Sequence, residues 1–221
     1  MSGVWAIVVA AGRGDRFADG AHDIAKQFVE LDGVRIVDRS VATAARACDG
    51  VVLVLAPGVE WDGVPVDAVV TGGATRSDSV RAGLAAIPDA AEVVVVHDAA
   101  RPLAADAVFG AVIDAVRAGS DAAVPALPVP DTIKRVAGER VIDTLVRDEL
   151  VSVQTPQGFR AAALRDAHAA SGEASDDAAL VEARGGVVVV VEGDPDNFKI
   201  TTPRDFVVAG ALLEARRPER I

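Results

Sequence analysis

Runs of valine and other branched apolar residues recur along this chain, and the stretches between them carry apolar residues at helical spacing. Val4 to Val9, Val51 to Leu55, Ala68 to Thr71, Val93 to His97, Ala122 to Ala126 and Val187 to Val191 are of strand length. Asp38 to Cys48, Arg76 to Ile87, Ala104 to Arg117 and Phe159 to Ala170 read as helices. Strands that are apolar throughout are covered on both faces. The alternation therefore predicts an α/β fold with a mostly parallel, doubly wound sheet and helices on each side. Ligands of such sheets bind beyond the carboxyl ends of the strands, so the residues that follow each run are the candidates for function.

The chain has 221 residues, enough for one sizeable domain taken as 1–221, and its 51% hydrophobic content excludes disorder. Only 4% of residues are aromatic, which suits small side chains packed between helices and a valine-rich sheet. No apolar run is long enough to cross a bilayer, and Gly12-Arg13 interrupts the first run too early for a secretory signal. Cys48 is the single cysteine, at the end of a helical apolar pattern, and is read as a buried packing residue. No internal disulfide can form, and a cytoplasmic location is expected. A net charge of -11, from 22 basic and 33 acidic residues, argues against a nucleic-acid partner. An acidic protein that binds a polyphosphate must gather its cations in one cleft.

The first run opens into Ala10-Ala11-Gly12-Arg13-Gly14-Asp15-Arg16-Phe17, with Lys26 a little further on. Glycines let backbone N–H groups approach an anion closely, and fixed cations beside them suit phosphates. A dinucleotide fingerprint is excluded because Phe17 stands where a third small residue is needed, and a Walker loop is excluded because Gly-Lys-Ser/Thr is absent. On the glycines alone, a strand-to-helix turn with solvated arginines explains the pattern equally well.

Three later segments sharpen the reading. His97-Asp98-Ala99-Ala100-Arg101-Pro102 follows the most apolar run. Asp98 is a candidate ligand for Mg²⁺ and Arg101 a candidate phosphate clamp; the alternative is a helix cap with a surface ion pair. Gly72-Gly73-Ala74-Thr75-Arg76-Ser77-Asp78-Ser79-Val80 is a second glycine turn whose backbone and Ser79 hydroxyl could read a base edge, with Ser77 or Asp78 as helix cap. Lys199, between Phe198 and Ile200, is either a solvent-facing strand residue or a cation that converges with Arg16 and Lys26 on one phosphate. His97, His168 and His22 lack metal-ligand spacing, and none is given a catalytic role. Residues 128–152 break the βα rhythm. Thr132 to Val136, the turn Ala137-Gly138-Glu139 and Arg140 to Leu145 form a hairpin pattern that cannot bury both its faces alone, which implies packing on another subunit.

Taken together these segments resemble the 2-C-methyl-D-erythritol 4-phosphate cytidylyltransferase family. Ala10-Ala11-Gly12 through Arg16, Ala25-Lys26-Gln27-Phe28, Gly72 to Val80, His97 to Pro102, Asp131-Thr132-Ile133-Lys134, Thr155-Pro156-Gln157 and Asp196-Asn197-Phe198-Lys199-Ile200-Thr201 occur in order over nearly the whole length. The resemblance implies a Rossmann-like nucleotidyltransferase sheet with an inserted β-arm, use of Mg²⁺, and a homodimer formed through that arm. It implies that CMP is transferred from CTP to a sugar-alcohol phosphate. It places Arg16, Lys26 and Lys199 around the α-phosphate and Asp98 at the metal. The nucleotide would meet Ala10, Ala11, Gly12, Gly14, Gly73, Arg76 and Ser79. The acceptor would meet Asp98, Arg101 and Ser175, with Thr132 and Arg147 coming from the neighbouring subunit. Val9 and Ala25 stand where the family often has prolines, and the loop from Ala18 to Ile24 is lengthened, but the charged residues are in place. Two rivals share much of this pattern: a cytidylyltransferase for ribitol 5-phosphate, and a regulatory module that binds CTP without turnover. Retention of Asp98 beside all three cations argues against the second.

Overall fold

Alternate residues of the central strands point to opposite faces of one sheet, and both faces are apolar. In the computed structural model, which describes residues 3–12, 25–169 and 174–217, strand β1 (Gly3–Ala10) is followed by a small hairpin of β2 (Glu30–Leu31) and β3 (Val34–Arg35), then helix α1 (Ile36–Ala47). Strands β4 (Gly50–Leu55) and β5 (Ala68–Thr71), helix α2 (Arg76–Ala86), strand β6 (Ala91–Asp98) and helix α3 (Asp106–Arg117) complete the first half. The second half contains β7 (Ala122–Pro128), β8 (Lys134–Ala137), β9 (Arg140–Thr144), β10 (Val151–Val153) and β11 (Gln157–Arg160). Helices α4 (Ala161–Ala169) and α5 (Asp177–Ala183), strand β12 (Val188–Glu192) and helix α6 (Pro203–Ala215) follow.

The main sheet runs β10-β7-β11-β6-β1-β4-β5, with β12 also paired to β7. The β1–β4, β1–β6, β4–β5 and β7–β12 pairings are parallel, and β11 lies antiparallel between β6 and β7. Val4, Ala6 and Val8 of β1, Val51, Leu53 and Leu55 of β4, and Val93 and Val95 of β6 face α1 and α3, where Val37, Val41, Phe109 and Val112 meet them. The intervening Ile7, Val52, Val54, Val94 and Val96 face α2, α4 and α5 through Val80, Leu84, Leu164 and Val181. The expected doubly wound, mostly parallel α/β sheet is thus the observed one, built on the period-2 geometry of strands buried on both sides.

Three sequence expectations are corrected. Phe159 does not begin a helix: it is a fully buried residue of β11, and the helix starts at Ala161. Phe159 fills the α2, α4 and α5 side of the core, and Gly158 beside it lies so close to Val112 that an added Cβ would be 2.9 Å from the Val112 carbonyl oxygen. The cap of α2 is Thr75. Its hydroxyl accepts the Asp78 N–H while the Asp78 carboxylate accepts the Thr75 N–H, a reciprocal arrangement in which Asp78 is the third helical residue. Cys48 is half-buried against the core, and loss of solvation pushes its thiol pKa up to about 12.

A third apolar cluster joins Leu31, Ile36, Leu103, Ile200 and Ala209, so that α6 and the segment before it are pinned over the β2–β3 hairpin. The hairpin read at residues 128–152 is β8 paired antiparallel with β9 around Gly138, whose φ of 58° is the left-handed conformation glycine adopts without a Cβ clash. All residues of β8 and β9 are exposed. Among the described residues no helix is long and apolar enough to cross a membrane.

Candidate active site

The carboxyl ends of β1, β4, β5 and β6 open onto one cavity of about 710 Å³, lined by Ala10, Ala11, Gly12, Lys26, Gly72, Gly73, Arg76, Ser79, Asp98 and Lys199, among others. Nine of the residues singled out from sequence for nucleotide, metal or catalytic roles therefore share one space, though they come from five separate parts of the chain. Arg16 and Gly14 lie outside the described residues.

Each cation in the cavity has an anchor. Lys26 Nζ donates to the Ile200 carbonyl at 2.5 Å. The Ile200 N–H in turn donates to the Ala100 carbonyl at 2.9 Å, which brings the adjoining Lys199 over the end of β6. Lys199 Nζ donates to Asp98 Oδ2 at 2.6 Å. Ile200 itself is fully buried in the α6 cluster, so the position of Lys199 is fixed by packing as well as by hydrogen bonds. Lys199 is thus not a residue on the outer face of a strand. Its ammonium and that of Lys26 are held at the same short segment.

Asp98 is the only carboxylate among the described residues that line the cavity. Its N–H donates to Thr155 Oγ1, its Oδ1 accepts from Arg76 Nε at 3.1 Å and its Oδ2 from Lys199. Burial pushes the Asp98 carboxyl upward, but Arg76, Lys199 and Arg101 outweigh it and hold the group well below the usual carboxylate range. The cap-and-surface-pair alternative fails, because α3 begins eight residues later behind Ala105 and the carboxylate is buried between two cations. His97, next to Asp98, is fully buried against Phe109. Desolvation lowers its pKa to about 4, so it is neutral near pH 7 and carries no positive charge into the site.

The loop after β1 and the turn after β5 approach each other closely. A Cβ on Gly72 would sit 2.5 Å from the Ala11 Cβ and 2.7 Å from Ser79 Oγ. Sequence reading missed Gln27. Its buried side-chain amide donates to the carbonyls of Ala10 at 2.8 Å and Gly12 at 2.9 Å, which ties the end of β1 to the segment that carries Lys26 and satisfies these acceptors. The signal was present as a long polar residue next to Lys26 inside a quoted motif.

The residues assigned to the acceptor are not gathered in the same way. Arg101 does not line the cavity; its Nη1 donates to the Asn197 carbonyl at 2.7 Å, which braces the segment that ends in Lys199. Burial lowers the Arg101 pKa, Asp98 opposes that, and Arg76 adds to it. Ser175 is exposed just before α5. Thr132 and Arg147 lie on the exposed arm, with Arg147 Nη1 on the Pro130 carbonyl at 3.0 Å.

A mostly parallel sheet with flanking helices, glycine turns around a cavity at its carboxyl edge and two lysines converging there defines a doubly wound α/β protein whose cavity suits a polyphosphate ligand. The family model for 2-C-methyl-D-erythritol 4-phosphate cytidylyltransferase, IspD, matches residues 4–215. The 2-C-methyl-D-erythritol 4-phosphate cytidylyltransferase of Nocardia farcinica is 47% identical over 224 residues, covering 96% of this chain and 95% of that protein. The bifunctional enzyme IspD/IspF of Anaeromyxobacter dehalogenans is 48% identical over 227 residues, covering 95% of this chain and 56% of that enzyme; the chain spans little more than half of such relatives. The crystal structure of 2-C-methyl-D-erythritol 4-phosphate cytidylyltransferase from Thermus thermophilus superposes with a TM-score of 0.80 at 38% identity, over 97% of this chain and 100% of that one. The chain belongs to the 2-C-methyl-D-erythritol 4-phosphate cytidylyltransferase family.

Proposed function

We propose that this chain transfers CMP from CTP to 2-C-methyl-D-erythritol 4-phosphate, giving 4-diphosphocytidyl-2-C-methyl-D-erythritol and pyrophosphate, as a homodimer in the cytoplasm. The observation that carries the proposal is the convergence of Lys26 and Lys199 on one glycine-lined cavity, in a chain of this family. An oxygen of the acceptor phosphate is already anionic, so no general base and no covalent enzyme intermediate are needed. That oxygen forms a bond to the α-phosphorus as the bond to the pyrophosphate oxygen breaks, and the protein contributes alignment and charge neutralisation. Lys26 and Lys199, with Arg16, supply that positive charge at the α-phosphate, and the backbone at Ala10 to Gly12 and Gly73, with Ser79, faces the nucleotide.

The donor set also fits Mg²⁺. One carboxylate at the cavity, with unused lone pairs on both oxygens beyond its single contact on each, suits an ion that takes most of its ligands from phosphates and water. Asp98 would hold it, and the ion when bound would supply further positive charge to the phosphates. The acceptor would meet Arg101 and Ser175 of one subunit and Thr132 and Arg147 from its partner's arm. Dimerisation through the arm is supported by the exposed apolar residues Val136, Val141, Ile142 and Val146, which a hairpin of this kind leaves without cover.

The direct test is pyrophosphate release from CTP and Mg²⁺ with methylerythritol 4-phosphate and ribitol 5-phosphate supplied separately. Turnover with the first is expected. Turnover with ribitol phosphate alone would move the acceptor assignment, and CTP binding without turnover on either would leave a regulatory protein. In the same preparation Gly72→Ala should weaken CTP binding about tenfold, because the new methyl group drives the Ala11 and Gly72 loops apart at a cost typical of overpacking. Calorimetric titration reads this, and unchanged affinity would show that the two loops do not jointly enclose the nucleotide.

A further inference from the structure

The site's charges do not end at the cavity wall. Arg76, the first residue of α2, donates from Nε to Asp98 Oδ1 at 3.1 Å and from Nη1 to Asp177 Oδ2 at 2.7 Å. Asp177 is the first residue of α5, and its side chain is 1% exposed. Its other oxygen, Oδ1, lies 3.0 Å from Nε2 of His168 on α4, whose side chain is 3% exposed. A carboxylate engaged by a guanidinium can only accept from the ring, so His168 Nε2–H donates to Asp177 Oδ1. Nδ1 of His168 has no hydrogen-bond partner among the described residues, and Asp177 is its one polar contact there. His168, Asp177, Arg76, Asp98 and Lys199 thus form a continuous chain of side-chain contacts from α4 to the cavity, with His168, Asp177 and Asp98 buried.

Packing does not require that chain. The surroundings on this face of the sheet are aliphatic, including Leu164, Ala167, Ala178 and Val181. A buried ion pair in such a setting contributes little net stability against apolar residues of similar volume. What it does provide is direction. The guanidinium is a rigid fork, and a carboxylate at each side fixes its plane. With Nη1 held by Asp177, Nε is aimed at Asp98 Oδ1, and the other Asp98 oxygen is left to Lys199.

We propose, on the basis of the nucleotidyl-transfer reading above, that Asp177 and His168 are positioning residues. His168 orients Asp177, Asp177 fixes Arg76, and Arg76 sets the Asp98 carboxylate against Lys199 at the reacting phosphates. The same contact ties the start of α5, and Ser175 two residues before Asp177, to the nucleotide cavity, although Arg76 and Asp177 are 101 residues apart.

Asp177→Asn keeps the volume and removes the charge that holds Arg76. Turnover per folded molecule is expected to fall about tenfold or more, as misplacement of a site group does, and CTP in the presence of Mg²⁺ is expected to bind several-fold more weakly by calorimetry. At the next link His168→Gln, whose amide nitrogen reaches the place of Nε2, should keep turnover near that of the unmodified chain, whereas His168→Leu should lose it. Thermal melts of each variant count the folded fraction. An Asp177→Asn protein with a lower melting temperature but unchanged turnover and CTP affinity would overturn the proposal, as would equal turnover of the two His168 variants. If the unmodified chain itself fails to turn over methylerythritol phosphate, the functional reading falls, and the CTP affinities still decide the positioning claim: equal values for Asp177→Asn and the unmodified chain refute it.

Discussion

Replacing Lys199 with alanine is expected to slow cytidylyl transfer about a hundredfold or more while the protein remains folded, the loss usual for one preorganised charge at a transition state. Three features combine in this expectation. Lys199 is carried by a segment whose neighbour Ile200 is fully buried and hydrogen-bonded to the Ala100 backbone, so the ammonium is fixed before any ligand arrives. Its side chain is 38% exposed, so truncation opens no cavity in the core. Asp98 keeps Arg76 as a partner when Lys199 is gone, so no buried carboxylate is left unpaired. The effect should lie mainly in kcat, because the charge on the α-phosphate region grows as pyrophosphate leaves. Steady-state kinetics beside a thermal melt check it. A Lys199→Ala protein with kcat within about threefold of the unmodified chain would remove Lys199 from the chemistry.

The part of this arrangement legible in the sequence is the part written in local patterns. The strands announce themselves because β1, β4 and β6 must be apolar on both faces, and the cavity residues because they follow strand ends. β11 is less visible: Gln157 and Gly158 interrupt any alternation, and the apolar residues after Phe159 continue at helical spacing, so the strand's buried end reads as the start of α4. The seven-residue α5 gives too short a periodicity to find. Convergence across the chain is least visible of all. Asp98 and Lys199 are each conspicuous, but that they share a hydrogen bond across 101 residues is a property of the folded sheet. His168 shows the limit from the other side. Without metal-ligand spacing it carried no signal, and its partner Asp177 becomes its neighbour only when α4 and α5 pack together.

Asp98→Asn is expected to reduce turnover by about a thousandfold or more, the largest effect of any single substitution considered, because it removes the one carboxylate that the described residues place at the cavity and leaves Arg76 and Lys199 facing a neutral amide. The same substitution has a second signature that does not depend on activity. Burial raises the Asp98 pKa, but Arg76, Lys199 and Arg101 lower it further, so the folded-state value lies below the unfolded one. A depressed carboxylate pKa contributes stability that is fully present above the unfolded value, about 3.9 for Asp, and is lost as pH falls below it toward the folded value. Between about pH 4 and the acid limit the unmodified protein should therefore lose melting temperature more steeply than Asp98→Asn. Asp78, Asp106 and Asp205 also have lowered values, but they are present in both proteins and supply a common background. Melting curves collected from about pH 7 to about pH 2.5 give the comparison. Parallel curves would mean that the three cations do not hold Asp98 ionised in the folded protein, and the account of the site's electrostatics would fail even if the variant were inactive.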